Sequence, residues 1–122
     1  MATTDITQKN FDATITDNHI VLVDFWADWC GPCRMFAPTF TAASEKHSDI
    51  VFAKVDTETE QELAAAAGIR SIPTLMAFRD KVLVFSQPGA LNGPSLDELI
   101  SGVRGLDMDD VRASIAAQQV AS

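Results

Sequence analysis

A chain of 122 residues, 47% hydrophobic, is long enough for one domain with an apolar core that needs no disulfide staples. Its net charge of −8 argues against nucleic acid or an anionic membrane as partner, since either needs a basic face. No stretch approaches the roughly 18 apolar residues of a membrane span.

The start, Met1-Ala2-Thr3-Thr4-Asp5-Ile6, has neither the basic nor the apolar region of an export signal, so a reducing cytoplasm is the expected compartment. A short helix should follow, capped by Thr7, with Phe11 and Ile15 on its buried side. Asp17-Asn18-His19 is a turn. Ile20 to Trp26 is a strand apolar on both faces, as a central strand should be, with Asp24 the exception. A long helix from about Gly31 to His47 turns Phe36, Phe40 and Ala43 inward, and Pro38 should kink it.

Ile50 to Val55 is the next strand. Asp56, Glu58, Glu60 and Glu62, then Leu63, four alanines and Gly68, describe a helix with acids in its first turn and glycine past its end. The acids are better explained as a solvated first turn than as a metal site. After a loop, Ile69 to Pro73, the strand Thr74–Phe78 should pair with Val82–Phe85 across the turn Arg79-Asp80-Lys81. Pro88 then suits an edge strand. Ser95 and Glu98 have capping-box spacing for a helix with Leu96, Leu99, Ile100 and Val103 on one face. Asp107 can cap a further helix whose narrow stripe, Met108, Val111 and Ile115, would pack weakly or fray. Residues 1–122 therefore make one domain, with 107–122 an appended helical extension. Its fold class is α/β, a mixed sheet with helices on both sides.

Chemistry concentrates at Trp29-Cys30-Gly31-Pro32-Cys33, which holds both cysteines of the chain, three residues apart. At the start of a helix two such residues share one face, with Cα atoms about 5 Å apart, inside the range a disulfide tolerates. A staple this short would add only about 2 kcal/mol of stability. Structural zinc would need four ligands, and the chain offers one CxxC pair plus the scattered His19 and His47. Reversible dithiol–disulfide chemistry is the better reading, and no metal is expected.

The run Val23-Asp24-Phe25-Trp26-Ala27-Asp28-Trp29-Cys30-Gly31-Pro32-Cys33, with Ala37-Pro38, Lys54, Ile72-Pro73-Thr74 and Gly89-Ala90-Leu91, closely resembles the thioredoxin family, of bacterial type. The likeness runs in order from about Phe11 to Val103. It implies the thioredoxin fold, a cis Pro73, and an extended substrate chain bonding to the backbone at Ile72 as a short added strand. The family usually has glycine where this chain has Lys81, so a turn needing positive φ would be strained or must differ. Pro88 before Gly89 is a second departure.

On that resemblance Cys30 is the attacking thiol, favoured as thiolate by the helix N-terminus, and Cys33, one turn in and less exposed, resolves the mixed disulfide. Asp24 between apolar neighbours should be buried with a raised pKa, suiting it to accept the Cys33 proton, directly or through water, with Lys54 as its partner. Trp29, Gly31, Pro32, Ile72, Pro73, Gly89 and Ala90 should form the docking surface. Trp26 is a near-core aromatic beneath the site, and Arg34 a solvated neighbour. The resemblance implies a monomeric protein-disulfide reductase with no bound cofactor. Its electrons would come from NADPH through a flavin-dependent thioredoxin reductase, and its substrates would be oxidised, disulfide-containing proteins. The alternatives are a disulfide oxidase or isomerase on the same fold, or a redox-independent partner-binding module.

Overall fold

The structure, a computed structural model, describes residues 3–121. Its centre is β2 (Ile20–Trp26), the continuous apolar run of the sequence, which is inaccessible on both faces because it is sandwiched between helices. β3 (Val51–Asp56) lies parallel to β2 with Asp24 directly opposite Lys54, and β4 (Thr74–Arg79) lies antiparallel on its other side with Asp24 opposite Leu75. β5 (Val82–Pro88) continues the sheet from β4 by a hairpin. β1 (Thr3–Asp5), which the sequence does not announce, pairs with β3 in parallel and completes the order β1-β3-β2-β4-β5.

Alternation along β2 divides the core. Val21, Val23 and Phe25 join Ile6, Ala53, Val55, Leu63 and Met76 on one face. Ile20 and Leu22 join Phe36, Phe40 and Phe52 on the other, with Leu96, Ile100 and Val103. Asp24 falls by the same alternation on that second face, beneath α2 (Gly31–Lys46). The helix continues through Pro38 without the hydrogen bond that an N–H there would give to Arg34. The same face is covered by α4 (Gly93–Arg104), while α1 (Phe11–Thr16) and α3 (Gln61–Ala66) cover the first. Helices thus flank a mixed sheet on both sides, as expected.

Two capping expectations are corrected. Thr7 does not cap α1; its backbone N–H donates to Asn10 Oδ1 at 2.8 Å, and Asn10 holds the cap position. Ser95 and Glu98 form no capping box either. Asn92 caps α4, its Oδ1 accepting from the Ser95 N–H at 2.9 Å, and Gly93 and Pro94 already lie in the first turn.

The β4–β5 hairpin bears out the strain expected at Lys81. Arg79 pairs with Val82 across a two-residue loop in which Asp80 has φ 50° and Lys81 φ 74°. Both positions of this turn require positive φ, and a lysine there costs about 1 kcal/mol relative to glycine. Asp80 is held by His19, whose carbonyl accepts the Asp80 N–H at 2.9 Å and whose Nδ1 lies 2.6 Å from Oδ1. Pairing shifts between Ala77 and Phe78, leaving Val84 as the extra residue of a bulge. Pro88 closes β5 opposite Thr74 on the outer strand, where no N–H is needed.

Beyond α4, Asp107 Oδ1 accepts from the N–H groups of Asp109 and Asp110 at 3.0 and 3.2 Å and so caps α5 (Met108–Ala121), as its sequence predicts. Met108 is buried, Val111 half-buried and Ile115 exposed, so contact with the domain fades within two turns. No helix among the described residues is long and apolar enough to cross a membrane.

Candidate active site

β2 and β3 both end at the same edge of the sheet, and the chain leaving β2 turns through Ala27 to Trp29 into α2. Cys30 is the N-cap of that helix, with extended backbone (φ −87°, ψ 111°). Its sulfur takes the position a serine or aspartate oxygen usually holds, accepting the Cys33 N–H at 3.2 Å. The unpaired N–H groups and dipole of a 16-residue helix thus point at Cys30 Sγ, and they favour a negative sulfur over a neutral one.

Cys30 and Cys33 are joined as a disulfide with Cα atoms 5.2 Å apart, the separation their helical spacing predicts. Cys33 is not the less exposed of the two in this state, since both residues are 3% accessible. Cys30 Sγ faces the Ile72 carbonyl at 3.6 Å, and the Ile72–Pro73 bond is cis, as the resemblance implies. Thr74 Oγ1 donates to the Ser71 carbonyl at 2.6 Å and steadies this segment from behind. The Gly89 N–H donates to the Pro73 carbonyl at 2.8 Å, where Gly89 has φ 105°, a conformation only glycine takes without strain. Ala90 follows it, exposed.

Beneath the disulfide, Asp24 is 1% accessible and neither of its oxygens has a hydrogen-bond partner. Burial pushes its pKa up to about 7, against the pull of the Lys54 charge, which favours the ionised form. Lys54 does not reach the carboxylate. Its ammonium instead lies 4.8 Å from the centroid of the Trp26 ring, so the expected partnership acts through space and not as a contact pair. Trp26 is half-buried, and its indole N–H has no partner. Arg34 is exposed as expected, with Nη1 donating to the Asp28 carbonyl at 2.6 Å.

A groove of about 560 Å³ opens from the disulfide. Trp29, Cys30, Gly31, Pro32 and Ile72 line it, five of the residues expected around the site, whereas Pro73, Gly89 and Ala90 do not. Its far wall comes from residues the sequence reading passed over: Thr57, Glu58 and Gln61 at the entrance of α3, Ala64 and Ala65 within it, and Ile69 to Ser71. The alanine run was legible as helix, but its second use, leaving room beside Cys30, depends on where α3 packs. Among the described residues no three metal-ligating side chains converge.

Residues 2–102 match the family model for thioredoxin. A Streptomyces coelicolor relative named "Putative thioredoxin 2" is 55% identical over 97% of this chain and 88% of its own length. Thioredoxin from Porphyra purpurea is 40% identical over 83% of this chain and 96% of its own. Among solved structures, a point-mutant thioredoxin of Halobacterium salinarum superposes with a TM-score of 0.78 at 37% identity, over 85% of this chain and 92% of that one. The thioredoxin of Plasmodium falciparum does so with a TM-score of 0.75 at 36% identity, over 81% and 97%. The chain therefore belongs to the thioredoxin family, a thiol–disulfide oxidoreductase that works by dithiol–disulfide exchange at Cys30 and Cys33.

Proposed function

We propose that the exchange runs in the reducing direction, on oxidised disulfide-containing proteins of the cytoplasm. The reducing direction rests on the Gly31-Pro32 pair between the cysteines, and the attacking role of Cys30 on the Cys33 N–H held on its Sγ at the start of α2. A sulfur stabilised as thiolate there is a ready nucleophile toward a substrate disulfide. Cys30 thiolate attacks one sulfur of the substrate disulfide, an S–S bond forms, and the other substrate sulfur leaves and takes a proton. Cys33 then gives its proton to the Asp24 carboxylate, directly or through water, and attacks Cys30 Sγ. The mixed disulfide breaks, the second substrate thiol departs reduced, and the protein is left with its own disulfide.

A carboxyl titrating near 7 is matched to that proton transfer at neutral pH. Lys54 supports it by holding the Asp24 pKa from rising further. Trp29, Gly31, Pro32, Ile72, Pro73, Gly89 and Ala90 form the docking surface, with the Ile72 backbone offered to an extended substrate chain. Regeneration takes two electrons, supplied from NADPH by a flavin-dependent thioredoxin reductase that docks on the same surface. The chain acts as a monomer of one domain, residues 1–122, with 107–122 an extension outside the working part.

The reading is tested by the equilibrium potential of the Cys30–Cys33 couple, followed by tryptophan fluorescence in thiol redox buffers. A value at or below about −240 mV supports a reductase, a benchmark set by thioredoxins themselves. A value above about −200 mV assigns the chain to disulfide formation or isomerisation instead.

A further inference from the structure

Sulfur is held by the Cys30–Cys33 pair and four methionines, of which Met35, Met76 and Met108 lie among the described residues. Met76 and Met108 are 6% and 7% accessible and belong to the packed interior, whereas Met35 is 78% accessible. The phase of α2 enforces this. Phe36 and Phe40 point into the core, so the residue one step before Phe36 points outward. A single exposed apolar side chain is ordinary. Met35, however, lies two residues from Cys33, and one helical turn beyond Gly31, which lines the groove at Cys30. Trp29, 66% accessible, stands on the other side of the cysteine pair in the chain. In the disulfide form neither cysteine is a thiol, so the thioether of Met35 is the most open oxidisable sulfur among the described residues.

We propose that Met35 is a hydroperoxide-sensitive modification site at the rim of the docking surface. The thioether sulfur attacks the outer oxygen of a hydroperoxide, an S–O bond forms and the O–O bond breaks. The sulfur loses two electrons, the peroxide is reduced to water or an alcohol, and Met35 becomes a sulfoxide. The change puts a polar, chiral group where a flexible apolar one met the partner, and so weakens docking of a folded protein without touching the sulfur exchange. The proposal rests on the reading that substrate proteins dock around Cys30.

The full-length protein in its disulfide form is treated with hydrogen peroxide, and each methionine is followed by peptide mass mapping. Met35 sulfoxide is expected to form about tenfold faster than sulfoxide at Met76 or Met108, in line with their burial. Treated protein should then show a KM for insulin disulfides raised about fivefold, with kcat little changed, and an unaltered rate on a small aromatic disulfide. Peroxide should not change KM in Met35→Leu, and a methionine sulfoxide reductase should restore the treated wild type. Equal oxidation of Met35, Met76 and Met108, an unchanged KM after full conversion of Met35, or the same loss in Met35→Leu would each overturn the proposal. Failure of the untreated protein on the small disulfide would overturn the exchange reading instead.

Discussion

Asp24 holds a carboxyl in an apolar layer with no hydrogen-bond partner, and two measurable consequences follow from its pKa of about 7 against an ordinary 3.8. The folded protein holds this proton more tightly than the unfolded chain does. The contribution of Asp24 to stability is therefore most favourable below about pH 4, falls as pH rises to about 7 and stays level above it, a total of about 4 kcal/mol at most. In guanidinium titrations Asp24→Asn should be more stable than wild type by about 2 kcal/mol at pH 8, with a much smaller difference at pH 4. An equal difference at both pH values would show that the carboxyl is not titrating in this window. The second consequence is kinetic. Asp24→Asn should slow resolution of the mixed disulfide about a hundredfold, the low end of general-base contributions. Attack by Cys30, measured with Cys33→Ser, should be nearly unaffected, and unchanged resolution in stopped flow would remove Asp24 from the proton path.

The burial of Asp24 was legible from its apolar neighbours Val23 and Phe25, and its place beside Lys54 from the next strand together with the family resemblance. The direction Lys54 takes was not. A long flexible side chain can bridge to a carboxylate or lie over a ring, and packing at Trp26 decides which.

At the level of elements, strands and helices with strong periodicity were readable to within a residue or two: β2, α2 and β3 show this. β1 was not, since Thr3-Thr4-Asp5 is three polar residues whose pairing partner lies far along the chain, Thr3 opposite Phe52. The start of α4 shows a different failure. Asn92-Gly93-Pro94 and Ser95 with Glu98 are competing signals, and the chain uses the earlier one because a proline is welcome in a first turn. The two are separable. Asn92→Ala should cost about 1 kcal/mol in chemical denaturation, while Ser95→Ala, which loses no cap bond, should cost a few tenths at most. The reverse order would restore the capping box. The groove wall from α3 belongs with β1, because local pattern finds the element and only the fold finds its neighbour.

Across the whole molecule the disulfide and α5 sit at opposite ends. Cys30 follows the C-terminal end of β2, whereas α5 is fastened near its start, where Ile20 pairs with Arg79. Arg79 Nη1 donates to the carbonyls of Val103, Arg104 and Leu106 at 2.8, 3.0 and 2.8 Å, gathering the end of α4 and the link to α5 onto β4. Among the described residues Met108 is the one α5 side chain that is buried. The family match ends at residue 102, before these carbonyls and α5. Distance and packing therefore separate two effects of shortening the chain. Ending it after Leu106 should leave the rate of disulfide exchange within about twofold, yet cost about 2 kcal/mol, the burial of one methionine side chain. Ending it after Ser114 keeps Met108 and Val111 and should be nearly neutral in denaturant. Comparing both truncations by exchange rate and by denaturation tests the two halves together. A shorter chain that folds but exchanges slowly would make α5 part of the working protein, since no loss of a contact at the hairpin end could otherwise reach Cys30.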